Sequence, residues 1–98
     1  MYWVTILYPN KEGAKFDFNY YVNKHIPMTA MLFGHSIQIL KGVASPLGAA
    51  PFLCTCRIPV KSLEEFAAKM NVEGAHLVAD VPNYTNVEAV IQFEEVLQ

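Results

Sequence analysis

Hydrophobic spacing in this chain switches from every second residue to helical intervals and back again, twice, and that rhythm sets the order of its elements before any motif is read. YWVTILY, Tyr2 to Tyr8, is rich in aromatic and β-branched residues and stops at Pro9 and Asn10, which predicts a strand followed by a turn. Asp17 is then placed as a helix N-cap, and Phe18, Val22, Ile26, Thr29 and Phe33 recur at helical spacing until Gly34. Pro27 lacks a backbone donor, so the Asn23 carbonyl loses its usual partner and the helix is expected to bend or break just after His25. Ser36 to Ala44 and Phe52 to Ile58 read as a second and a third strand on either side of a loop. Ser62 and Glu65 form a capping box ahead of Leu63, Phe66, Ala67 and Met70, which repeat on one helical face. Gly74 interrupts that helix, His76 to Val81 supplies a further turn, and Val87 to Phe93 alternates as a fourth strand. The order is β-α-β-β-α-β. It predicts one α+β domain over residues 1–98, ferredoxin-like, with a four-stranded antiparallel sheet and its helices on one face.

Alternation divides the expected sheet into two unlike faces. Val4, Ile6, Ile39, Cys54, Cys56 and Ile91 fall on a uniformly apolar side that meets the helices. The other side mixes Trp3, Leu7, Leu40, Leu53 and Val90 with Thr5, Gln38, Thr55 and Arg57, more large apolar residues than a water-facing sheet carries. A second subunit is the expected cover, most simply through a two-fold homodimer. Composition points the same way: 53% of the 98 residues are hydrophobic and 16% charged, against about 25% charged in an average soluble domain, and a core this small cannot hide that surplus.

The same figures exclude other classes. Pro46, Pro51, Pro59 and scattered charges cut every apolar run well short of the roughly 20 residues a membrane span needs, so no membrane partner is expected. A net charge of −2, with basic residues dispersed, leaves no footprint for nucleic acid. Met1 to Tyr8 lacks a basic leader and a small-residue cleavage site, so it reads as a strand and the protein as cytoplasmic. Cys54 and Cys56 point to the same face at a spacing unsuited to an ordinary disulfide and read as small buried hydrophobes. His25, His35 and His76 fall in no ligand spacing with them, so no metal site is expected.

The informative stretch is FDFNYYVNKHIP, Phe16 to Pro27. At about 100° per residue, His25 falls in the arc of Phe18, Val22, Thr29 and Leu32, opposite Asn19, Asn23 and Lys24, and therefore points inward. Tyr21 lies four residues before it and Asp17 four before that, so the three can line one side of the inward face. Burial lowers an imidazole's pKa and a nearby carboxylate raises it, so spacing alone leaves the sign open. The functional reading is a cavity between sheet and helices, with His25 as general acid or base and Tyr21 or Tyr84 donating to a substrate carbonyl or phenol. Asp17, Phe18, Val22 and Tyr84 are then candidate substrate-binding residues. The packing reading stands beside it: His25 satisfies a carbonyl freed near Pro27, Tyr21 is core, Asp17 is only a cap, and Asp80 and Tyr84 belong to a hydrogen-bonded loop.

Tyr8-Pro9, Phe16-Asp17, Tyr20-Tyr21, His25-Ile26-Pro27 and the segment DVPNYTN from Asp80 to Asn86 together resemble the EthD family, named for ether-degradation operons. The resemblance spans nearly the whole chain, with Met28 standing where the family favours leucine. The family is similar to the dimeric α+β barrel superfamily, whose sheets face one another across a dimer, so the resemblance implies the same homodimer. Superfamily relatives include cofactor-free monooxygenases, lactone isomerases, polyketide cyclases and haem enzymes, and the implied reaction class is correspondingly broad. Two expectations follow. One is a cofactor-independent isomerase, cyclase or monooxygenase-like enzyme acting on a hydrophobic oxygenated or aromatic compound in catabolism or secondary metabolism. The other is a non-catalytic dimer that binds such a compound or assists a degradation pathway, and haem binding is a third option.

Overall fold

A computed structural model describes residues 1–98. Its elements run β1 (Tyr2–Pro9), α1 (Phe18–Tyr20), a π-helical turn (Tyr21–His25), α2 (Ile26–Phe33), β2 (Gln38–Lys41), β3 (Phe52–Val60), α3 (Leu63–Glu73), α4 (Ala75–Asp80), a 3-10 turn (Val81–Asn83) and β4 (Val90–Glu95). The four strands form one antiparallel sheet in the order β2-β3-β1-β4, as expected of the ferredoxin-like arrangement.

Register fixes what each face offers. Ile39, Cys56, Ile6 and Ile91 are cross-strand partners in one row across all four strands, and Ile58, Val4 and Phe93 make the next row on that side. Val4, Cys54, Cys56 and Ile58 are fully buried there, with Phe33 of α2 and Phe66 of α3 packed against the cluster. Burying each such aliphatic side chain is worth about 1.5–3 kcal/mol. Both thiols lie free in this layer, pushed up to about 12 and about 11 by burial, which makes them inert packing groups. On the opposite side Leu40, Thr55, Leu7 and Val90 form a largely apolar row beside the polar row Gln38, Arg57, Thr5 and Gln92.

Several boundaries differ from the sequence expectation, each for a physical reason. The second strand shrinks to Gln38–Lys41, because the chain turns at once through the Ser45–Gly48 bridge. The third runs on to Val60 through Pro59, which β2 does not reach, so its missing N–H removes no pairing on that side. The fourth begins at Val90 because the buried Val87 donates its N–H to the Thr85 hydroxyl at 3.1 Å instead of joining the ladder. Ser62 caps α3 by accepting from the Glu65 N–H at 3.1 Å. The Glu65 carboxylate lies 3.9 Å from Lys69, so no reciprocal arm of the capping box is formed.

The largest departure lies around His25. The disturbance expected just after that residue begins earlier, as a π-helical turn in which the Ile26 N–H donates to the Tyr21 carbonyl. This wider turn takes up one extra residue, and α2 then restarts at Ile26 with Pro27 in its first turn, where a missing donor is harmless. The inward face is re-indexed as a result: Tyr21, His25 and Thr29 are buried, while Val22, expected inside, is 47% exposed. No helix of the chain is long and apolar enough to cross a membrane.

Candidate functional site

Between the sheet and the helices lies a cavity of about 130 Å³, bordered by His25, Thr29, Tyr8 and Tyr84 among apolar side chains such as Phe66 and Leu77. Wider depressions exist elsewhere, one of about 420 Å³ beside Met31, Lys69, Val72 and Glu73, where Lys69 pairs only with Glu65, at 3.9 Å on a partly exposed helix face. The π turn delivers His25 to this cavity with only 7% of its surface exposed. Its Nδ1 lies 2.9 Å from Asp80 Oδ2. Asp80 ends α4, and its other oxygen, Oδ1, accepts from the Tyr20 hydroxyl at 2.6 Å and the Asn83 amide at 2.9 Å.

A carboxylate held by that many donors favours ionisation. The Tyr20 and Asn83 hydrogen bonds, with smaller help from His25, hold Asp80 at about 2. His25 is governed mainly by burial, which lowers its pKa; the Asp80 bond and charge oppose this without reversing it, and His76 adds slightly to the lowering. The state at neutral pH is a neutral imidazole whose Nδ1–H donates to an ionised carboxylate, which leaves Nε2 as a bare acceptor. Nε2 has no protein partner, and since no fully buried side-chain nitrogen or oxygen goes unpartnered, it keeps access to open space.

The arrangement predicts a pH dependence of stability. The unfolded chain protonates His25 near pH 6.5, above its folded pKa, so acid favours unfolding through this group. Its contribution is complete above about pH 6.5 and is lost as pH falls through that value toward the folded pKa, whereas that of Asp80 persists until about pH 4 and is lost toward 2. Urea unfolding is expected to show lower stability at pH 5.5 than at pH 7.5, and His25→Gln is expected to flatten that difference. A rise in stability on acidification would mean that the folded protein prefers the imidazolium.

The structure brings together only part of the set singled out from sequence. His25 and Tyr84 meet, with ring centroids 4.6 Å apart. Tyr21 lies against the His25 ring at 5.5 Å with planes 13° apart, but it does not border the cavity, and its hydroxyl faces Cys56 and Tyr8. Asp17 is exposed and caps α1 by accepting from the Tyr20 N–H at 3.0 Å. Phe18 is half-buried against Phe16, with Lys41 Nζ 4.9 Å above its ring, and Val22 faces solvent. None of these three borders the cavity. Two residues outside that set also lie here: Asp80, noticed in the DVPNYTN loop motif, and Tyr8, noticed as the end of a strand and as part of the family-like Tyr8-Pro9 motif. Asp80 is 55 residues from His25, beyond any local spacing rule. No group of three or more metal-binding side chains is present.

Two solved structures match the chain over almost its whole length. A crystal structure of an EthD-like protein from Ralstonia eutropha superposes with a TM-score of 0.90 at 33% identity, covering 99% of this chain and 92% of that one. A crystal structure of an ethyl tert-butyl ether degradation (EthD) family protein from Bacillus halodurans gives 0.79 at 21% identity, covering 99% of both chains, a likeness of fold. No family model and no curated protein matches the sequence.

Proposed function

The chain belongs to the EthD-like family, and from that premise we propose that it is a small proton-transfer enzyme acting, without a cofactor, on a hydrophobic oxygenated compound. The observation that carries this reading is His25 on the wall of an apolar cavity, held from outside that wall by Asp80 at 2.9 Å. Asp80 fixes the tautomer and would stabilise the imidazolium formed when Nε2 takes a proton. Apolar walls strengthen that charge interaction by keeping water out. Removal of a proton beside a carbonyl, and its return at another position, is the step that such a base performs in isomerisation and cyclisation. The cavity is smaller than the roughly 300–1,000 Å³ of common ligand pockets but close to the roughly 150 Å³ that accommodates benzene. A ring-sized group fits inside, and the remainder of a larger ligand would leave past Val78 and Ile91, which border the cavity and are exposed.

The functional unit in this reading is a two-fold homodimer formed through the open sheet face. Support comes from the row Leu40, Thr55, Leu7 and Val90, whose end members are 50% and 55% exposed. The polar groups beside it satisfy one another: Arg57 stacks over Trp3 at 4.7 Å and lies 3.9 Å from Glu94, which also accepts from Thr5. The apolar band is what remains without a partner.

Exchange of the methyl protons of acetophenone in heavy water, followed by NMR, tests the chemistry. Acceleration by the protein is expected. Binding without acceleration would instead identify a protein that only holds such compounds.

A further inference from the structure

The helix-facing side of the sheet is covered unevenly. In the rows that cross it, Cys56 and Ile58 of β3 and Val4 of β1 are at most 1% exposed, whereas Ile91 and Phe93 of β4 in the same rows are 51% and 49% exposed. Alternation assigns all of these side chains to the core side, so the helices stop short of the edge strand. On the helical side, Val78 of α4 is 63% exposed and borders the His25 cavity together with Ile91. Phe93 lies two residues further along the strand, about 7 Å, and packs edge-on against Phe66 of the cavity wall at 5.8 Å. An apolar strip therefore leads out of the cavity along β4.

The chemistry of the strip decides what can lie on it. The cavity of about 130 Å³ holds a ring-sized group, so any longer ligand must continue past its mouth. No carboxylate, lysine or arginine borders the cavity, and Val78, Ile91 and Phe93 offer no polar side-chain atom. A charged or hydrogen-bonding chain laid there would lose water without gaining a partner, whereas an aliphatic chain gains by burial. Beyond Phe93 the next residue on that side of β4 is the exposed Glu95, which opposes an anionic end. His25 is 7% exposed while Val78 and Ile91 are open, so a ligand enters with its reacting end first and its chain trailing.

We propose that the site takes aryl carbonyl compounds bearing an uncharged aliphatic chain on the side of the ring away from the carbonyl, and that Ile91, Phe93 and Val78 select for that chain. This rests on the reading of the cavity as the place where His25 meets its substrate. The gap between α4 and the edge strand is then the specificity region of the site, set apart from the groups that handle the proton.

The probes are para-ethyl-, para-butyl- and para-hexylacetophenone, with affinities measured by calorimetry. Each methylene is expected to tighten binding by about twofold, half the free energy of a fully buried one, so that the hexyl compound binds at least about tenfold more tightly than the ethyl. A para-acetylphenylbutanoate, whose chain ends in a carboxylate, is expected to bind about tenfold or more weakly than the butyl compound. The double variant Ile91→Thr/Phe93→Thr keeps strand-forming residues on the edge and is expected to cut the ethyl-to-hexyl gain to about threefold or less. Val78→Gln, on the exposed helical side, is expected to lower the same gain by about threefold, and reads the strip if the strand variant folds poorly. Val72→Gln, in the separate groove between α2 and α3, is expected to leave the gain intact. No gain with chain length in the wild type would overturn the proposal and leave the strip to a protein contact. A butanoate that binds as well as the butyl compound, a gain untouched by the strip variants, or one abolished by Val72→Gln would overturn it too. Accelerated acetophenone exchange without a chain-length gain would remove the chain and leave the base standing. A gain that depends on Ile91 and Phe93, without exchange, would do the reverse, and a protein that binds none of these ketones would lose both.

Discussion

Replacing His25 with glutamine is expected to slow acetophenone proton exchange by about 10²–10⁴-fold, the usual contribution of a positioned general base. Glutamine can still donate to Asp80, so fold and binding are expected to survive. Asp80→Asn separates the two jobs of the carboxylate. An amide at this position can donate to Nδ1, which would leave the proton on Nε2 and turn the proposed base into a donor. Exchange is then expected to fall by about 10²-fold or more with acetophenone affinity nearly unchanged. If either variant keeps wild-type exchange, the pair is a packing feature and the protein's function lies elsewhere.

The second large effect concerns assembly. Leu40 is half exposed on an edge strand, so in a monomer Leu40→Glu is a surface change worth less than about 0.5 kcal/mol. At a dimer interface the same carboxylate would lose its water without gaining a partner, a cost of several kcal/mol. Since each 1.4 kcal/mol or so is tenfold in affinity, the dimer dissociation constant is expected to rise by at least about 10²-fold. Sedimentation equilibrium reads this directly, with thermal unfolding as the control for the protomer. A wild-type protein that is monomeric at micromolar concentration would refute the dimer.

Element order and sheet topology were legible because they depend on hydrophobic period, which local sequence carries. Alternation placed Ile39, Cys56, Ile6 and Ile91 on one face and Leu40, Thr55, Leu7 and Val90 on the other, whereas their pairing into rows is set by a register that alternation within each strand does not carry. Strand ends were less so, since Val87 leaves the ladder through a side-chain hydrogen bond and β2 is cut short by a tight turn. The inward position of His25 was legible. So was that of Tyr21, but Val22 was misplaced, because a helical wheel assumes one constant period and the Tyr21–His25 turn breaks it, carrying Val22 to the exposed side. Proline marked the right neighbourhood but acted one turn earlier than its own position suggests.

Asp80 shows the other limit. Its motif was visible, yet the partnership with His25 joins the end of α4 to the π turn, a contact that only the packing of helices on the sheet creates. The same holds for Tyr8 and Tyr84, 76 residues apart, whose hydroxyls meet at the cavity. That distant origin is why the sequence offered Tyr21 and Tyr84 as equal donors, while the geometry sets Tyr21 behind the histidine and brings Tyr8 forward.

The most direct measurement is the ¹⁵N NMR spectrum of the His25 ring across pH. A neutral imidazole at pH 7, protonated on Nδ1 and bare at Nε2, titrating below about 6.5 and perturbed at Nε2 by acetophenone, is the expected result. An imidazolium at pH 7, or a neutral ring with its proton on Nε2, would contradict the account.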